Sequence, residues 1–139
     1  MSFKRVLIAN RGEIAIRIAR AAAELGIVSV AIHAQDDAAS LHVRSADEAV
    51  ALNGSGVKAY LDIDGVIAAA KAAKCDAIHP GYGFLSENAD FARACAAAKI
   101  AFIGPAPEAL ELFGDKAKAR ALAAKAKVPV LAGTGAIDL

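Results

Sequence analysis

Short apolar runs alternate with segments of helical period along the whole chain, and this alternation limits the possible folds more than any single residue does. Arg5-Val6-Leu7-Ile8-Ala9 reads as a buried strand. A helix is predicted over 12–25, with Ile14, Ile18, Ala21 and Leu25 on one face and Glu13, Arg17, Arg20 and Glu24 on another. Gly26 closes it, and 27–32 forms the second strand. A polar stretch from 35 to about 47 leads to a weak third strand over 48–52, ended by Asn53-Gly54-Ser55-Gly56.

The same alternation continues through the second half. Asp62 caps a helix whose apolar face is Ile63, Val66, Ile67 and Ala70. A brief strand over 76–78 stops at His79-Pro80-Gly81. Ser86 is the expected cap of the next helix, with Phe91, Ala94, Cys95 and Ala98 inward, followed by a strand over 100–103. Pro107 suits the first turn of a short helix ending near Phe113, where Gly114 is the expected break. Asp115 caps a last helix to about Lys127, and 128–131 is extended. This alternation of strand and helix predicts an α/β fold: an open, mainly parallel, Rossmann-like sheet with helices on both faces.

Charge and composition exclude several classes. Sixteen basic and fifteen acidic residues leave a net charge of +1, which offers no electrostatic case for nucleic acid or an anionic membrane surface. No run approaches the ~20 apolar residues a membrane helix needs, and the N-terminus lacks a signal-peptide core. The two cysteines, Cys75 and Cys95, make neither a disulfide framework nor a zinc set. A cytoplasmic location is the default expectation.

In open parallel sheets, ligands bind beyond the C-terminal ends of the strands. Three strands end there in unusual segments: Asn10-Arg11-Gly12, His79-Pro80-Gly81-Tyr82-Gly83-Phe84, and Gly104-Pro105. The first is no dinucleotide fingerprint, since only Gly12 of the glycine set is present and Glu13 puts negative charge at the helix start. A structural turn and a ligand-edge role both stay open for it. In the second, glycines on either side of Tyr82 let the backbone turn sharply and hold the ring out; for His79, turn chemistry is favoured over a ligand role. Lys116 stands in the first turn of a helix, where a cation is unfavourable with the helix dipole, so it is either solvated or placed for an anion. The residues alone favour the solvated reading, and they favour ordinary surface for Arg17, Arg20 and Glu24. Cys95, at an apolar helical position, reads as core.

Taken together, these segments resemble the biotin carboxylase family. The resemblance is carried by 6–15, by Ala77-Ile78-His79-Pro80-Gly81-Tyr82-Gly83-Phe84-Leu85-Ser86-Glu87-Asn88, by Phe102-Ile103-Gly104-Pro105 and by Gly114-Asp115-Lys116, in matching order and spacing. It implies that 1–131 is the domain preceding an ATP-grasp fold and that 132–139 begins a linker to it. It further implies an enzyme that uses MgATP and bicarbonate to make carboxyphosphate and then carboxylates biotin on a carrier domain, with a carboxyltransferase as a further partner. By residue, Lys116 matches the family lysine that reaches nucleotide phosphate, against the solvated reading. Tyr82 and Gly83 match the edge of the biotin and bicarbonate pocket, and Arg17, Arg20 and Glu24 match a homodimer stripe. The glycine-rich lid, second nucleotide lysine, metal-binding glutamates and general base fall later in the family, so this chain alone is expected to be inactive. A dinucleotide-binding oxidoreductase domain and a non-catalytic assembly module are the competing readings.

Overall fold

In the computed structural model of the protein, residues 2–133 are described. Five strands, all parallel, form one sheet: β1 (Arg5–Ile8), β2 (Val28–His33), β3 (Glu48–Ala51), β4 (Ala77–His79) and β5 (Ala101–Phe102), in the order β3-β2-β1-β4-β5. Seven α-helices connect and flank them: α1 (Gly12–Glu24), α2 (Leu41–Ser45), α3 (Val57–Tyr60), α4 (Ile63–Ala72), α5 (Ala89–Ala97), α6 (Pro107–Gly114) and α7 (Lys116–Lys125). The α/β parallel architecture is as expected from the alternation. The chain order reverses between β1 and β4, which are direct neighbours, so the loops leaving these two strands meet at the topological switch of the sheet.

Alternation along each strand divides the core into two layers. Leu7, Val30, Ile32 and Ile78 pack with Val66 and Ala70 of α4 and with Phe91 and Cys95 of α5. Val6, Ile8 and Ala77 face the other way, toward Ala15, Ala19 and Ala22 of α1. Alanine at the three buried positions of α1 lets the helix approach the strands closely. The helix therefore meets the sheet through its small residues, and Ala21 and the larger Ile14, Ile18 and Leu25 lie beside the contact, with Leu25 75% exposed. They form one wall of an apolar groove of about 760 Å³, whose other wall is Phe3, Val6, Ile27 and Ile103. Among the described residues, no helix covers β4 and β5 on this face, because α5 lies on the opposite face and α6 packs on α5.

Three local expectations are corrected. The cap of α5 is Asn88, whose Oδ1 accepts from the Phe91 N–H at 2.9 Å; the Ser86 N–H instead closes a turn onto the Gly83 carbonyl. Gly114 is the last residue of α6, and the break falls at Asp115, whose carboxylate accepts from the Ala117 and Lys118 N–H groups. The polar stretch after β2 contains a 3₁₀ turn (Gln35–Asp37) and α2, and α3 follows the glycine turn. Gly12 and Gly26 have φ of +64° and +68°, the left-handed values that a helix entry and a helix exit require here. Residues 128–131 form no strand. The predicted linker over 132–139 falls largely outside the described residues.

Candidate functional site

The site is built on the two loops that leave β1 and β4. The Ala9 N–H donates to the His79 carbonyl at 2.9 Å, extending the ladder to the sheet rim. The next residue, Asn10, is only 3% exposed, and its carboxamide is fully used. Its Nδ2 donates to the Pro80 carbonyl and to the Tyr82 carbonyl, both at 2.8 Å, while Oδ1 accepts from the Arg11 N–H at 2.9 Å. The Gly81 N–H donates to His79 Nδ1 at 3.0 Å, which fixes that ring nitrogen as an acceptor in the neutral imidazole. Burial holds His79 below the usual imidazole range. Turn chemistry is thus what His79 performs.

Both glycines of this loop take left-handed backbone, with φ of +65° at Gly81 and +66° at Gly83. At Gly81 space matters as well: a Cβ would lie 2.6 Å from Asn10 Nδ2 and 2.8 Å from Ile14 Cγ2. At Gly83 a Cβ would meet nothing within 4 Å, so its surroundings are open. Between them Tyr82 stands 67% exposed, beside a depression of about 560 Å³ that Arg11, Gly83 and Phe84 also line.

Arg11 is held from the other side by a polar cluster. Its guanidinium meets Asp37 Oδ2 at 3.0 Å and lies over the Tyr60 ring, 5.6 Å from the centroid. The Tyr60 hydroxyl, on a residue 1% exposed, donates to the same Asp37 oxygen at 2.7 Å and accepts from the Ala34 N–H at 3.3 Å. The Tyr60 hydroxyl bond, joined by Arg11, holds the Asp37 carboxyl below its ordinary range, and burial pushes the Tyr60 hydroxyl well above its own. Asp37 and Tyr60 were not singled out from sequence. They lie 23 residues apart, and no local pattern links them.

Residues 2–110 match the family described as "Biotin carboxylase, N-terminal domain". The chain belongs to that family. It is 54% identical to the biotin carboxylase of Nostoc sp. over 135 residues, covering 96% of this chain and 30% of the relative. Among solved structures, it matches the biotin carboxylase domain of a single-chain bacterial carboxylase with a TM-score of 0.93 and 60% identity, over 96% of this chain and 31% of that one. The biotin carboxylase domain dimer of the Hydrogenobacter thermophilus 2-oxoglutarate carboxylase, in complex with MgADP, ADP and bicarbonate, matches with a TM-score of 0.93 and 45% identity, over 96% and 30% of the two chains. The chain therefore spans about a third of the length of these relatives.

In this biotin carboxylase N-terminal domain, the structure joins the Asn10 and Tyr82 loops directly, whereas no described contact joins either to Lys116. Lys116 is exposed at the start of α7, and among the described residues it forms no ion pair. The adjoining end of α6 borders a separate polar depression with Glu87, Asn88 and Asp90 at the start of α5. Gly104 packs against the Phe102 ring. Arg17, Arg20 and Glu24 are exposed on α1, as the helical period requires. Cys75 and Cys95 are buried, and burial pushes both thiols up to about 11. Among the described residues no group of three or more His, Cys, Asp or Glu could hold a metal, and no helix is long and apolar enough to cross a membrane.

Proposed function

We propose that this chain is the N-terminal domain of an ATP-dependent biotin carboxylase and supplies one wall of its active site, with turnover requiring polypeptide beyond it. The carrying observation is the loop at the β1–β4 switch, which Asn10 ties down and which presents an exposed Tyr82 beside an open Gly83. In this reading MgATP and bicarbonate supply carboxyphosphate, and biotin on a carrier domain receives the carboxyl group. Tyr82 and Gly83 border the biotin and bicarbonate pocket, where an exposed ring and an unobstructed backbone fit the planar ureido ring of biotin. Lys116, uncommitted to any described partner, is free to meet nucleotide phosphate.

These residues are too few to catalyse the reaction. Phosphoryl transfer needs metal ions and several cations around the transferred group. One charge-assisted contact contributes roughly 1.5–3 kcal/mol, against about 8 kcal/mol for micromolar binding. The chain should therefore release no ADP above background with MgATP and bicarbonate, and measurable turnover would refute this reading.

The uncovered half of the sheet supports the same view. Parallel sheets are buried on both faces, yet Ile14, Ile18, Leu25 and Ile103 line an open groove. Arg17, Arg20 and Glu24 form a homodimer stripe in the intact enzyme, and the isolated chain pairs weakly or not at all. Sedimentation of the chain and of Arg20→Glu tests this, since a dimer indifferent to that change would remove the stripe as an interface and favour an assembly module built elsewhere on the surface. The carrier domain and carboxyltransferase are further partners, and the setting is cytoplasmic. Family membership and the lone Gly12 disfavour a nicotinamide-binding domain.

A further inference from the structure

We propose that Asn10 is the positioning residue for the biotin-facing loop, acting through its two carboxamide hydrogens on the carbonyls of Pro80 and Tyr82. The inference rests on the reading of Tyr82 and Gly83 as a pocket edge.

The chemistry at this position is restrictive. Asn10 is buried, lies at the end of a central strand, and reaches 70 and 72 residues along the chain to its two acceptors. It must accept from the Arg11 N–H with one atom and donate twice with another. Aspartate keeps the size and the acceptor but has no hydrogen to give, and would set a carboxylate against two carbonyl oxygens. Serine and threonine donate once. Glutamine is longer by a methylene, and the space ahead of the amide is already filled, because Gly81 leaves room there only by having no Cβ.

The loop has few other anchors. The Gly81 N–H is held by His79 Nδ1 at one end, and the Gly83 carbonyl accepts from the Ser86 N–H at 2.9 Å at the other. Tyr82 lies between these points with its ring exposed, so Asn10 is the described side chain that fixes the Tyr82 peptide itself. An amide-locked peptide sets where the ring and the following Gly83 stand relative to a ligand. A misplacement of about an ångström can cost as much as about 10²-fold in rate, because the reacting groups lose their alignment.

Two measurements test the proposal. In this chain, Asn10→Asp should shift the backbone amide resonances of Gly81, Tyr82 and Gly83 while those of Leu7 and Val30 keep their positions. Gly81→Ala attacks the same contact from the other side and should move the same three resonances, and the double variant should add little to either single change. Unchanged loop resonances in Asn10→Asp would overturn the clamp, and so would a loss of all dispersed resonances in Asn10→Asp with a native loop in Gly81→Ala.

The consequence is read in a chimaera in which this chain replaces the matched stretch of the Nostoc biotin carboxylase, assayed with free biotin. Asn10→Asp should lower kcat/KM for biotin about tenfold or more and leave KM for ATP within about twofold. An unchanged kcat/KM for biotin, or a fall matched by an equal rise in KM for ATP, would reduce Asn10 to a stabilising residue and overturn the positioning role. A parent chimaera that hydrolyses ATP without any response to biotin would instead refute the pocket-edge reading, even with the loop resonances displaced as expected.

Discussion

Replacing Tyr60 by phenylalanine removes one oxygen from the molecule and should cost it about 2–4 kcal/mol. The hydroxyl donates to the Asp37 carboxylate at 2.7 Å and accepts from the Ala34 N–H at 3.3 Å, and Ala34 is fully buried. A hydrogen bond to a charged group is worth roughly 1.5–3 kcal/mol, and an orphaned buried N–H costs roughly 1–3 kcal/mol. The two overlap, because Asp37 keeps Arg11 at 3.0 Å and Ser40 at 3.3 Å, so the sum is discounted to the lower part of the combined range. Phenylalanine keeps the ring against Phe84, 5.6 Å between centroids, and under the Arg11 guanidinium, so the change isolates the hydroxyl. Urea unfolding at pH 7 is the assay; with a slope of roughly 1–3 kcal/mol per molar, the midpoint should fall by about 0.7 M or more. A second arm uses pH. Asp37 has a lowered pKa in the folded chain, so its contribution is fully present above the unfolded carboxyl value and is lost as pH falls through the folded value. The gap between parent and variant should therefore narrow in strong acid. A loss under about 0.5 kcal/mol at pH 7, the range of ordinary surface changes, or a gap independent of pH, would refute the account of this cluster.

Other outcomes follow from the same structure. Phe91→Ala, at a fully buried ring set edge-on to Phe102, should cost about 3–5 kcal/mol in the same unfolding assay. His79 has a folded pKa lowered by burial, so its neutral form stabilises the chain above the unfolded value near 6.5 and that stability is lost as pH falls. Unfolding from pH 7.5 to 5 should thus weaken the parent more than His79→Gln. Cys75 and Cys95, buried and with thiols raised to about 11, should resist a thiol reagent at pH 8 until urea unfolds the chain. Rapid labelling of the folded protein would contradict their burial.

How much of this was legible in the residues depends on the range over which the physics acts. Strand and helix periods are local, and so are the conformational demands of glycine and proline. The alternation therefore named all five strands, and it placed α1, α4, α5, α6 and α7 to within a few residues. Helix ends were legible only to within a residue or two: Asn88, not Ser86, caps α5, and α6 runs through Gly114 so that the break falls at Asp115. The unusual composition of 79–84 also stood out, and its two glycines take left-handed backbone on either side of an exposed tyrosine.

Neighbouring residues were enough for the class of fold and for the family, because both are written in local patterns along the chain. The folded chain was needed to show that β1 and β4 lie side by side, that α1 meets the sheet through alanines and leaves Ile14, Ile18 and Leu25 on a groove, and that Asn10 and Tyr60 act on partners 72 and 23 residues away. Those outcomes depend on which surfaces find each other once the chain closes on itself, and periodicity along a strand or helix holds no record of that pairing.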